Sequence, residues 1–214
     1  MTTRTPLRRD LADLKQKVYL MGEKCIEISS LYNTLIGNYS TNLEKRLTDI
    51  TEEIKKDCKE LNDQCFLVLT LQQPLIKDLR LVIGSLQIVL NLEKLTDQYK
   101  STLSALPDVN LLSSSVKDQL IKMASIVQEL LTISLTLYLS SNNAQSKEIT
   151  KKFSEINYIH DILYKQILSE VATEGGQKAQ IEAQLLAAVR SQEKISDLIQ
   201  SIVEQINFII SGSN

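Results

Sequence analysis

Between Pro6 and Ile210, apolar side chains recur three and four residues apart with few interruptions. That spacing returns them to one side of an α-helix turn after turn. In the first stretch the marks are Leu11, Leu14, Val18, Met21, Cys25, Ile28 and Leu31. In the second they are Leu47, Ile50, Ile54, Leu61, Cys65 and Leu69. The residues that end helices are scarce, with 6 glycines and 3 prolines in 214 residues, far below average usage. A chain so poor in turn formers cannot make the many tight reversals of a β-sandwich or barrel. Its 7 tyrosines, 3 phenylalanines and no tryptophan are also thin for strands. The expected class is all-α.

The interruptions divide the chain into six helices of roughly thirty residues. The first runs from Pro6, suited to a first helical position after Thr5, to about Gly37. Asn38 to Asn42 make the turn, and Thr41 with Glu44 has the spacing of a capping box that opens the second helix. That helix stops or kinks near Gln73, because Pro74 disfavours a helical predecessor. The third runs from Pro74 to about Ala105. Pro107-Asp108 is the clearest boundary, separating residues 1–106 from residues 107–214. A fourth helix, Leu111 to Ser141, is followed by a turn at Ser141-Asn142-Asn143. The fifth runs from Ala144 to Thr173, Gly175-Gly176 breaks it, and the sixth extends from Lys178 to Ile210. Short connections favour antiparallel neighbours, so the expected architecture is two tandem three-helix bundles.

The halves repeat each other. A shift of 100 residues lays Leu86 on Leu186, Val89 on Val189, Glu93-Lys94 on Glu193-Lys194, Asp97 on Asp197 and Ser101 on Ser201. Amphipathic helices resemble one another by chance, but chance seldom reproduces E-K-x-x-D with matching flanks. An internal duplication follows.

Composition excludes several classes. A 43% apolar content suffices for a packed core, which argues against general disorder. A net charge of −2 argues against a nucleic-acid binder of the usual basic kind. The most apolar run, Leu130 to Leu139, is about half the length a membrane helix needs. The Arg8-Arg9 pair has no apolar segment behind it, so no secretory signal is expected and the chain is placed in the cytoplasm. Cys25, Cys58 and Cys65 are odd in number and dispersed, and they read as buried thiols.

The residues that could carry chemistry are acidic. Glu93 and Asp97 are four apart and share a helix face. They continue a stripe formed by Leu79, Val82, Leu86 and Val89, while Leu81, Ile88, Leu92, Leu95 and Tyr99 form a second stripe. Carboxylates in line with a buried stripe are costly unless a cation accompanies them. Three readings stay open for these acids and for their copies Glu193 and Asp197. They hold a metal ion, they pair with Lys or Arg from a neighbouring helix, or they face solvent. Arg80 and Asp78 belong either to a partner surface or to an internal salt bridge. Enzyme signatures are missing: there is no Gly-rich phosphate loop, no Cys-x-x-Cys pair and no nucleophile elbow. The single histidine, His160, reads as a surface or core residue and cannot supply paired Glu-x-x-His motifs. The expectation is a protein without catalytic activity.

One stretch is recognisable. Gln72-Gln73-Pro74 followed by Asp78-Leu79-Arg80 resembles the Q-Q-P…D-L-R pattern of the PhoU family of phosphate-uptake regulators. Asn91-Leu92-Glu93-Lys94-Leu95-Thr96-Asp97 is similar to that family's D-L-E-R-I-G-D, and Gln192 to Asp197 to its second copy. Leu11, Leu14, Val18 and Met21-Gly22 resemble its first-helix signature. The resemblance implies two symmetric three-helix bundles, often paired into homodimers. It also implies a cytoplasmic regulator that contacts the ATPase of a phosphate ABC transporter and a sensor histidine kinase, restraining uptake and repressing phosphate-starvation genes. On that view the chain meets the membrane only through its partners and does not bind nucleic acid.

The family's metal clusters use E/D-x-x-x-D motifs on two adjacent helices of each repeat. By resemblance the metal candidates are Glu93 and Asp97 in the first repeat and Asp161, Glu193 and Asp197 in the second, for Fe, Zn, Mn or Mg. Counting back from Gln73-Pro74, however, the partner motif on the second helix falls on Thr51 and Lys55. Asp49 and Glu53 are offset by two residues, about 200° round the helix, and face elsewhere. The fifth-helix motif falls on Asn157 and Asp161, half preserved, which makes the second repeat the better metal site. In the first, Lys55 is expected to neutralise Glu93 or Asp97 in place of a cation, as a half-buried pair whose loss destabilises clearly. The competing readings are a metal-binding bundle and a helical adaptor for a different transporter.

Overall fold

The computed structural model describes residues 5–104, 106, 114–140, 146–173 and 177–211. Six helices account for nearly all of them: α1 (Thr5–Gly37), α2 (Thr41–Gln72), α3 (Ile76–Ser101), α4 (Ser114–Ser140), α5 (Ser146–Thr173) and α6 (Gln177–Ser211). No strand occurs among the described residues. The expected boundary at Pro107, the turn at Ser141-Asn142-Asn143 and the break at Gly175-Gly176 lie outside them.

Within each half every helix packs on the other two, so α1, α2 and α3 form one bundle and α4, α5 and α6 the other. The bundles join side by side through α3 against α6, the most extensive helix pair, and α1 against α4. The periodic apolar positions are what fill this core. Leu14, Val18, Cys25 and Ile28 on α1, with Leu47, Ile50 and Ile54 on α2, are fully or almost fully buried. α3 is closed in by α1, α2 and α6, and buries Val82, Ile88, Val89, Leu92, Leu95 and Tyr99. Tyr99 donates to Ser29 Oγ at 2.8 Å, and its ring lies 4.9 Å from that of Tyr32. The Tyr32 hydroxyl is 3.0 Å from Thr102 Oγ1, so α1 and the end of α3 lock together with their polar atoms satisfied.

Two glycines permit the bundles to meet. A Cβ on Gly22 of α1 would lie 2.5 Å from Leu135 Cδ2 of α4, and one on Gly84 of α3 would lie 2.5 Å from Ile209 Cγ1 of α6. Hydrogen at these positions is what lets the helix surfaces touch.

Three local expectations are corrected. The capping box does not form: Ser40 is the N-cap residue without a side-chain cap bond, and the Glu44 carboxylate instead accepts from the Tyr39 hydroxyl. α3 starts at Ile76 rather than Pro74, because Gln73 takes a left-handed φ of 43° and Leu75 is the extended N-cap. It also ends earlier, at Ser101. Finally, Ser115–Ser140 of α4 is long and apolar enough to cross a membrane by length and composition, longer than the ten-residue run suggested. Its most apolar 18-residue stretch is 56% buried, and α4 packs on α1, α5 and α6, which is how the core helix of a two-bundle protein behaves.

Candidate functional site

The acidic pairs sit on α3 and α6, the helices at the centre of the bundle interface. On α3 the pair looks toward α2, whereas on α6 only Glu193 looks toward α5 and Asp197 lies beside α3. On α3 the stripe leaves the core as it proceeds: Val89 is buried, Glu93 partly exposed and Asp97 exposed. This corrects the expectation that both carboxylates continue a buried stripe: each step of four turns the face by about 40°, so two such steps past Val89 carry Asp97 off the buried side, which continues through Leu92, Thr96 and Tyr99.

Lys55 of α2 reaches Asp97, with Nζ 3.6 Å from Oδ1. The same ammonium is 3.7 Å from Glu52, and Lys100 lies 2.8 Å from Glu52, giving a ladder of alternating charge between α2 and α3. Glu93 has a different neighbour. The buried Cys58 thiol donates to its Oε2 at 3.2 Å. Burial chiefly, and the Glu93 carboxylate next, push the Cys58 thiol up to about 12. Thr51 is buried and turned into its own helix, donating to Leu47 O at 2.9 Å. Glu53 and Asp57 point the other way, to Lys24 of α1 at 3.2 and 2.8 Å. The two-residue offset does turn that face away, as helical geometry requires.

The second half is arranged differently. His160 of α5 is largely buried, and its Nε2 lies 3.2 Å from Glu193 Oε2 at an angle that makes no hydrogen bond. Asp161 is on the other side of the ring, 3.6 Å from Nδ1 and 71% exposed. Asn157 is exposed and lines a separate recess with Leu137, Gln200 and Asn207. Asp197 is exposed and lies in a shallow recess with Lys94, Lys194 and Gln98. Arg80 and Asp78 form no salt bridge with each other, and Arg80 Nε is buried without a partner. Sequence reasoning missed His160 and Cys58 as the neighbours of the two glutamates. Their spacing on α5 and α2 carries no motif, and only the packing of one helix on the next brings them in.

The sequence profile of the PhoU domain matches twice, at residues 18–104 and 120–206, once on each bundle. The chain belongs to the PhoU family. The PhoU homologue of Synechocystis sp., named a phosphate-specific transport system accessory protein, is 25% identical over 98% of this chain and 93% of its own length. Its namesake from Clostridium acetobutylicum is 26% identical over 98% and 96%. The fold is that of the crystal structure of the phosphate transport system regulatory protein PhoU from Streptococcus pneumoniae. The TM-score is 0.86 at 20% identity, over 97% of this chain and 98% of that one. PhoU from Pseudomonas aeruginosa superposes with a TM-score of 0.82 at 19% identity.

Against the metal clusters the PhoU resemblance implies, the residues can be tested as they stand. In the first half an ammonium already faces Asp97 and a thiol faces Glu93, while Thr51 Oγ1 is spent on its own backbone. A divalent ion there would have to displace a cation, so these residues do not fit one. In the second half His160 and Glu193 face each other, but Asp161 and Asp197 lie outside the pair. Among the described residues no group of three or more His, Cys, Asp or Glu converges on a point. Two donors fall short of the three protein ligands of an open metal site.

Proposed function

We propose that this chain is an accessory regulator of a phosphate transport system. It works on the cytoplasmic side and acts by contact with the transporter's ATPase and with a sensor histidine kinase rather than by chemistry of its own. The observation that carries this is the pair of PhoU-domain matches falling on the two bundles, together with relatives named as phosphate-transport accessory proteins over almost their whole length. The packing agrees: Lys55 faces Asp97, the Cys58 thiol donates to Glu93 and His160 lies beside Glu193, and the three thiols are buried, so these polar groups sit between helices rather than around a common reacting atom.

Deleting the gene tests the reading. Expression of phosphate-starvation genes should become constitutive in phosphate-replete cells, and the ATPase of the phosphate transporter should co-purify with the tagged chain. An unchanged phosphate response removes this reading in favour of an adaptor for another transporter. Elemental analysis of chelator-free protein separates the metal-binding alternative: stoichiometric Fe, Zn or Mn, lost in Glu193→Gln, would favour it.

A further inference from the structure

A groove runs along the outer face of the first bundle between α1 and α2, enclosing about 830 Å³. Its floor is apolar: Leu20, Met21, Leu61 and Leu67 line it, with Leu20 47% and Leu67 57% exposed. Two cross-groove contacts, Lys17 to Gln64 at 3.2 Å and Lys24 to Asp57 at 2.8 Å, bracket Leu20 and the buried Met21 and Leu61, and Leu67 lies just beyond the first. Past Leu67 the apolar surface continues through Phe66 and Leu71 toward the α2–α3 turn, where Leu75 and Ile76 are also exposed. Scattered exposed apolar side chains need no explanation, but a contiguous set beside a groove marks a contact surface.

The rim is mainly acidic. Glu23, Glu27, Asp57, Glu60 and Asp63 line it against only Lys17 and Lys24. Both lysines are already engaged, Lys17 by Asp13 at 2.7 Å and Lys24 by Asp57 and Glu53. Arg46 reaches Glu27 at 3.0 Å and Lys56 reaches Glu60 at 3.8 Å, while Glu23 and Asp63 form no ion pair among the described residues, so carboxylate remains in excess beside the apolar trough. Residues 17–27 and 57–67 each advance about 15 Å along their helices, about three turns. A third helix lying in such a trough presents anchors at i, i+3 or i+4, and i+7.

Charge decides among occupants. A second copy docking through the same face in a two-fold dimer would set carboxylates against carboxylates. An anionic lipid surface would be repelled by the same rim. A helix with lysine or arginine on either side of its apolar stripe is matched at both the floor and the rim.

We propose that the α1–α2 groove of the first bundle is a docking site for a basic amphipathic helix of a partner protein. The inference rests on the contact-driven reading above, but it is tested on the purified chain, so a failed binding assay and a silent deletion phenotype are different results. The probe is a fluorescein-labelled 18-residue peptide with leucines at i, i+3, i+4 and i+7 and lysines flanking them, followed by anisotropy with the full chain. Binding should saturate at one peptide per chain. It should weaken at least tenfold in Leu67→Asp and in Leu20→Gln, both at exposed positions, and stay unchanged in Ile162→Asp on the second bundle. Combining Glu23→Lys with Glu60→Lys should weaken it equally and gain binding of the same peptide with glutamates in place of its lysines. Absence of saturable binding, indifference to Leu67→Asp, or failure of the charge exchange overturns the proposal. So does a self-association, or a pelleting with phosphatidylglycerol vesicles, that Leu67→Asp abolishes, since either assigns the groove to another occupant.

Discussion

Lys55 of α2 holds its ammonium 3.6 Å from the carboxylate of Asp97 on α3, at the helix face where the PhoU resemblance places a metal ligand. The two side chains remain 39% and 52% exposed, so water screens them. The half-buried pair expected from the sequence is in fact a surface pair, extended through Glu52 to Lys100.

Lys55→Ala should therefore cost no more than about 1 kcal/mol, the range of exposed ion pairs. A chain of this length then melts at most about 2–4 °C lower. The difference should shrink further at high salt. Thermal melts at low and high ionic strength check it, and a salt-insensitive loss several times larger would mean that the pair is desolvated after all.

How much of this was legible in the sequence follows from which register a feature depends on. Helical register along one chain is rigid, so counting back from Gln73-Pro74 put Lys55 and Thr51 opposite the acids of α3, and the structure has Lys55 there. The ends of α3 depended on backbone detail instead: a left-handed Gln73 before Pro74 delays the next helix, and no periodicity reports that. Glu193 and His160 meet because α5 and α6 slide to one particular offset. That offset is set by core packing between the helices and by no spacing within either. Burial of the acids was overstated for a related reason. Steps of four drift by about 40° round the helix, so Glu93 and then Asp97 leave the buried side that Leu92, Thr96 and Tyr99 keep.

Gly84→Val should loosen the joint between the bundles. Its Cβ would come 2.5 Å from Ile209 Cγ1, with Gln205 O at 3.5 Å behind it, so α6 must shift or Ile209 must leave its place. Overpacking of this kind costs about 1–3 kcal/mol. Urea unfolding measures it. Ile209→Ala should recover part of the loss in the Gly84→Val background while costing stability in the parent, a coupling expected only of residues in contact.

Gln192 is fully buried, and neither its amide nitrogen nor its amide oxygen makes a hydrogen bond of good geometry. A buried polar group without partners costs about 1–3 kcal/mol. Methionine has nearly the same unbranched shape, so Gln192→Met should raise stability by about 1 kcal/mol or more. A chemical denaturation curve with an unchanged slope and a higher midpoint is the expected result. A lower midpoint would mean that the amide is bonded in solution, with the Tyr32 hydroxyl beside it as the candidate partner.

Alkaline pH should weaken the fold through its thiols. Burial, joined by Glu93 at Cys58, raises Cys58 to about 12, and burial raises Cys65 to about 11, both from an ordinary value of 9.0. Below pH 9 both states keep these protons, and the full contribution is present. Between pH 9 and 11 the unfolded chain releases protons that the folded chain retains, so the unfolded state binds fewer and stability falls as pH rises. Urea midpoints at pH 8, 9 and 10 should therefore decline. Replacing Cys58 and Cys65 with alanine lowers stability overall but should make that decline shallower, Cys25 keeping a share because burial raises its thiol as well. The native chain should also react slowly with a thiol reagent at pH 8, and all 3 cysteines should react once it is unfolded. Rapid labelling of the native chain would contradict the burial that both expectations share.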